Sequence, residues 1–168
     1  MSEADKAYER ALGFLEKRDR TEREITDRLA GLGFSEDAVS DVLVRLRDAG
    51  LVNDEDYAAR YMEALASKGR GRLRIAAEMR RKGLPDELVR NTLEDGGLEE
   101  DERARATGAA RRAMASIPEG TDPRKAAAKV NRRLVTLGFS YDVIGAVMSE
   151  LGRDREDEED EDIGGDSD

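Results

Sequence analysis

At 168 residues with no cysteine and no histidine, the chain excludes disulfides, leaves a zinc site without its usual ligands, and lacks both the commonest general base and the best nucleophile. Charged residues reach 40%, hydrophobic ones 38% and aromatic ones only 4%, with no tryptophan, so the core must be aliphatic and carried by helices rather than by a sandwich or barrel. The net charge of −10 is uneven: residues 153–168 hold ten acids against two arginines, which leaves residues 1–152 at only −2.

No apolar run approaches the roughly 20 residues needed to span a bilayer. The start, Met1 to Asp5, is acidic and lacks a signal peptide's basic and apolar regions. The expectation is a cytoplasmic protein with no membrane partner.

In chain order, a first helix is predicted over about residues 4–18. Thr21 and Glu24 then form a capping box that opens a second. Gly33-Phe34-Ser35 ends that helix and opens a third, with Glu36 and Asp37 in its first turn. Asn53 is placed to cap a helix through Tyr57, Tyr61 and Leu65. That tyrosine pair suits docking on a partner or partial burial between repeats, and we read it as partly buried. Lys68-Gly69-Arg70-Gly71-Arg72 lacks the spacing of a phosphate loop and reads as a flexible basic turn. Gly83-Leu84-Pro85 separates two further helices. A helix of about 99–115 ends before Ser116 to Gly120, after which Asp122 caps a helix with Pro123 at its first position. Gly138-Phe139-Ser140 opens the last. The acid run beyond residue 152 repels itself and buries almost nothing, so it is expected to be disordered.

Three of these segments align on their glycine. Eight residues before it stand Ile25, Ile75 and Val130; four before, Leu29, Met79 and Leu134; six after, Val39, Val89 and Ile144; ten after, Leu43, Leu93 and Met148. Such pairs lie one above the other on a helix, and the glycine between them suits a left-handed C-cap followed by an apolar residue that folds back. The fold class expected is therefore all-α: three tandem three-helix, helix-turn-helix-like repeats (residues 1–52, 53–97 and 98–152) in an elongated, curved array, followed by an acidic disordered tail over 153–168.

Helix-turn-helix pairs also occur in DNA readers, but they serve equally as packing motifs, and fold alone decides little. Two basic stretches are more informative. Residues 68–82 carry Lys68, Arg70, Arg72, Arg74, Arg80, Arg81 and Lys82 against one acid, Glu78. Residues 124–133 carry Arg124, Lys125, Lys129, Arg132 and Arg133 with none, and the last four share one helix face. Helical charge usually forms a solvated face, but like charges without compensating acids fit phosphate or an acidic protein surface. No catalytic constellation stands out, so neither enzymatic activity nor a cofactor is expected.

Further residues carry a resemblance. Ala11-Leu12 and Leu15, Thr21, Glu24-Ile25, Leu29 and Gly33-Phe34, then Gly50-Leu51, Asn53 to Ala58 and Tyr61, then Gly69, Gly71, Ile75 and Lys82-Gly83 together resemble the RecX family, bacterial regulators of the RecA recombinase. The likeness is close over residues 8–100 and looser over 101–152. Arg72 stands where that family usually carries proline, and the acidic tail lies outside its pattern. The resemblance implies three-helix repeats, no enzymatic activity, and binding in the groove of the RecA–DNA filament. There the protein would restrain ATP hydrolysis and strand exchange, with effects on recombination and DNA repair. The expected contacts to filament or DNA are Arg70, Arg72, Arg74, Arg81, Lys125, Lys129, Arg132 and Arg133. The expected partner is the RecA filament, with weak, non-specific DNA binding and a monomeric chain. The alternative is a helical nucleic-acid-binding module acting without the recombinase, or a scaffold whose basic faces are incidental.

Overall fold

The structure, a computed structural model, describes residues 1–163, the side chains of Glu100 and Ile163 excepted. The described residues form nine α-helices and no strand: α1 Glu3–Leu15, α2 Glu22–Gly31, α3 Glu36–Asp48, α4 Asp54–Ser67, α5 Arg72–Arg81, α6 Asp86–Asp95, α7 Leu98–Ala115, α8 Pro123–Leu137 and α9 Tyr141–Ile163. Their starts follow the local chemistry. Thr21 and Glu24 form the reciprocal capping box, the Asn53 side chain accepts from the Asp56 N–H at 3.0 Å, and Asp122 accepts from the Arg124 N–H at 2.8 Å ahead of Pro123. Ser2 and Asp5 make a further capping box on α1.

The three aligned glycines all adopt positive φ, at 89°, 83° and 88° for Gly33, Gly83 and Gly138. Each closes its helix in the same way. The N–H groups of Phe34, Leu84 and Phe139 donate to the carbonyls of Leu29, Met79 and Leu134 at 3.3, 3.3 and 3.2 Å, while the glycine N–H bonds one residue further on. This is the Schellman closure, and it satisfies carbonyls that a helix end leaves open. The same closure recurs at Gly50 and Gly69, where Leu51 donates to Leu46 and Arg70 to Leu65; the threefold alignment does not reveal these two.

Leu29, Met79 and Leu134 have no exposed surface, and Ile25, Ile75 and Val130 are equally buried. The columns after the glycine behave less uniformly. Val39, Val89, Ile144 and Leu93 are buried, whereas Leu43 and Met148 are half-buried. Val42, Leu46 and Val147, each fully buried, fill the core there instead.

The chain divides into two compact units: Met1–Ala64 with Ala76–Gly96, and Leu65–Ile75 with the chain from Gly97 onward. In the first, α1, α2 and α3 pack around Ala7, Ala11, Ile25, Leu29, Val42 and Leu46. The end of α5 is held to the start of α2 in that unit: the buried Thr21 hydroxyl donates to the Lys82 carbonyl at 2.6 Å, and the Gly83 backbone lies so close to Arg23 that a β-carbon would fall 2.4 Å from its side chain. In the second, α7, α8 and α9 pack around Ala106, Ala109, Ala110, Val130, Leu134 and Val147. The alanines on α7 let α8 and α9 approach closely.

Two boundaries differ from expectation. α1 stops at Leu15 rather than near residue 18. The other concerns where the last helix ends: α9 continues past residue 152 to Ile163, with residues 153–162 exposed. Its packed first turns supply the costly nucleus, each added residue then gains a backbone bond, and Arg153–Asp157 and Arg155–Glu159 stand at i, i+4. The rest of the expected tail, 164–168, lies outside the described residues.

Candidate polyanion-binding cleft

The second unit contains a cleft of about 650 Å³ between the α4–α5 turn, α7 and α8. Lys68 and Arg70 come from the turn, Arg112 from α7, and Lys129, Arg132 and Arg133 from α8; Ala109, Ala113 and Leu137 make its apolar floor. None of the twelve lining residues is acidic. Among the described residues none of the six cations is ion-paired, so their charge is left for an external anion. Cations gathered along low-dielectric walls also focus the field within the cleft.

The turn that supplies Lys68 and Arg70 is fixed, which corrects its reading as flexible. The Schellman closure at Gly69 places Arg70. The Gly71 N–H donates to the Leu137 carbonyl at 2.8 Å and the Leu73 N–H to the Gly138 carbonyl at 3.0 Å. A β-carbon on Gly71 would lie 2.3 Å from the Phe139 nitrogen, so only glycine allows this approach. A further donor at the start of α5, the Arg72 N–H, bonds to the buried Glu102 carboxylate of α7 at 3.1 Å. Glu102 thereby places negative charge at the positive end of the α5 dipole. A proline at position 72 would need no such acceptor; arginine does.

Of the eight expected contact residues, the cleft brings together Arg70, Lys129, Arg132 and Arg133. Arg72 and Arg74 instead support it: the Arg72 guanidinium pairs with Glu99, and Arg74 donates to the Thr136 carbonyl at 3.2 Å. Lys125 is exposed on α8 but does not line the cleft, and Arg81, in the first unit, is paired with Glu78 at 3.4 Å. Sequence reasoning missed Arg112 altogether and left Lys68 out of the site. The signal for Arg112 was its place one turn past Gly108 and Ala109, on the small-residue face of α7.

The first unit carries an ion-pair network around the Thr21–Glu24 box. Burial pushes the Glu24 carboxyl up, but the Arg18 guanidinium, the Thr21 N–H and Lys82 together outweigh it and hold the group below the ordinary glutamate range. The Glu24 carboxylate is contacted by Arg18 at 3.0 Å and by Lys82 at 3.5 Å. Asp54 behaves oppositely: burial raises it, although it accepts from the Glu22 N–H at 3.0 Å.

The fold and cleft define a class: an all-helical protein of three-helix sets that presents a cationic surface. Among its described residues no helix is long and apolar enough to cross a membrane. Comparison with known proteins narrows the class. Residues 7–46 match the family model described as RecX, first three-helix domain, and residues 53–93 match RecX, second three-helix domain. The chain is 35% identical over 161 residues to a regulatory protein RecX of Mycobacterium sp. (strain KMS), covering 90% of this chain and 85% of that one. It is 33% identical over 158 residues to a regulatory protein RecX of Geobacillus kaustophilus, covering 94% of this chain but 58% of that longer protein. The crystal structure of RecX from Lactobacillus salivarius superposes with a TM-score of 0.79 at 27% identity, over 89% of this chain and 97% of that one. The chain belongs to the RecX family of regulatory proteins.

Proposed function

We propose that the chain is a non-catalytic, cytoplasmic, monomeric regulator of the RecA recombinase. It binds the helical groove of the RecA–DNA filament and modulates, mainly by inhibiting, ATP hydrolysis and strand exchange, and so influences recombination and DNA repair. The observation that carries this reading, beside family membership, is the cleft of six cations that have no ion partner among the described residues. A filament offers both DNA phosphates and acidic protein patches to such a surface, and the attraction is screened over about 8 Å at physiological ionic strength. DNA alone binds the same cations weakly and without sequence preference.

The test is DNA-dependent ATP hydrolysis by the cognate recombinase. The chain is expected to slow it when substoichiometric to the recombinase, at concentrations where it scarcely binds bare DNA. The variant Lys129→Glu/Arg132→Glu/Arg133→Glu is expected to lose the effect while keeping its helix content. Inhibition only at concentrations that coat the DNA would assign the chain instead to a nucleic-acid-binding module independent of the recombinase.

A further inference from the structure

A second recess, of about 430 Å³, lies wholly in the first unit. Its lining is Arg18 and Asp19 from the α1–α2 link, Tyr57, Arg60, Tyr61 and Ala64 from α4, and Lys82 from the end of α5. The two tyrosine rings stand 5.7 Å apart and tilted by 45°, both half-buried. The Lys82 ammonium lies 5.8 Å from the centre of the Tyr61 ring. This differs from the basic cleft in one decisive respect, which is that its cations are already matched. Arg18 and Lys82 share Glu24, and Arg60 contacts Asp19 at 2.7 Å and Asp56 at 3.6 Å, so three carboxylates face the three cations.

A recess so balanced has little to offer a phosphate. An aliphatic side chain docked there would strip water from at least four ionised groups and return no hydrogen bonds, at high cost. The occupant that gains most is flat, so that it stacks on tyrosine, and carries donors and acceptors around its edge, so that it meets Asp19 and the guanidinium groups together. We infer that the Tyr57–Tyr61 recess binds an unpaired nucleobase of a single-stranded nucleic acid by stacking. Every base has a ring face, so the contact is tolerant of sequence. Burial raises both tyrosine hydroxyls, which keeps them neutral donors across the physiological range. The inference stands apart from the recombinase reading, because the affinity ratio that decides it is read with DNA alone.

The experiment compares a short oligothymidylate with an abasic-spacer oligomer of equal phosphate count. The wild-type chain is expected to bind the first more tightly by about five- to a hundredfold, the range that stacking one base supplies, and this ratio should persist as salt weakens both. Tyr57→Leu/Tyr61→Leu is expected to abolish the ratio without altering abasic binding, and Tyr57→Phe/Tyr61→Phe to retain it. Should the leucine pair fail to fold, a 2-aminopurine oligomer read against the wild-type chain decides the matter, since stacking quenches its fluorescence. Equal affinity for the two oligomers, or an unchanged 2-aminopurine signal, overturns the inference. Equal affinity combined with loss of recombinase regulation in the leucine pair would give the recess to a protein partner, which overturns it as well.

Discussion

The backbone nitrogen of Gly71 lies 2.8 Å from the carbonyl oxygen of Leu137, which ties the basic α4–α5 turn to the end of α8. Gly71→Ala forces a β-carbon against the Phe139 nitrogen at 2.3 Å, where backbone rather than a flexible side chain must move. Overpacking of this kind costs about 1–3 kcal/mol. Denaturant unfolding should show that loss, and single-stranded DNA binding should weaken with it. Gly145→Ala on α9 meets nothing within 4 Å at a helical position and should instead stabilise by about 0.5–1 kcal/mol.

Leu29, Met79 and Leu134 sit at equivalent Schellman positions with no exposed surface. Substituting any one by alanine is expected to destabilise by about 2–5 kcal/mol, measured by urea or thermal unfolding. A change below about 1 kcal/mol at two of the three would break their equivalence.

Neighbouring arginines on α7 should differ sharply. Arg112 lines the cleft, whereas Arg111 is exposed outside it. Arg112→Glu is expected to weaken filament and DNA binding and to lower the salt dependence of DNA binding by about one phosphate contact. Arg111→Glu should change binding little, and both variants should stay within about 0.5 kcal/mol of the parent in stability. Equal effects from the two would remove the cleft as the binding surface.

Glu24 predicts a pH dependence with a definite sign. Its folded-state carboxyl titrates below the unfolded one, so the stability it contributes is present above the unfolded value and is lost as pH falls through the lowered folded value. Glu24→Gln should therefore unfold more easily at neutral pH, by about 1 kcal/mol after solvent screening, and lose less stability between neutral and acid pH. Asp54, raised by burial, acts in the opposite direction, and Asp54→Asn should steepen the acid limb. Circular dichroism melts at stepped pH measure both.

The amino-acid sequence by itself determined the helices, their caps and the threefold core pattern. These rest on hydrogen bonds and side-chain spacings within a few residues of chain, such as the Phe34 to Leu29 closure or the Thr21–Glu24 box. Membership of the RecX family was legible for the same reason, because its signature residues are largely those glycines, caps and core positions. Tertiary structure alone decided which charges are usable. Lys68 and Arg70 meet Arg112 and Lys129 across gaps of about forty to sixty residues, while Arg72 and Arg74, a few residues further along the same basic stretch and identical in charge, are drawn into contacts with Glu99 and Thr136. Helix periodicity says which face a charge occupies but not whether an acid from a distant helix stands opposite it. That pairing, which separates a free cation from a structural one, exists only once the chain has packed.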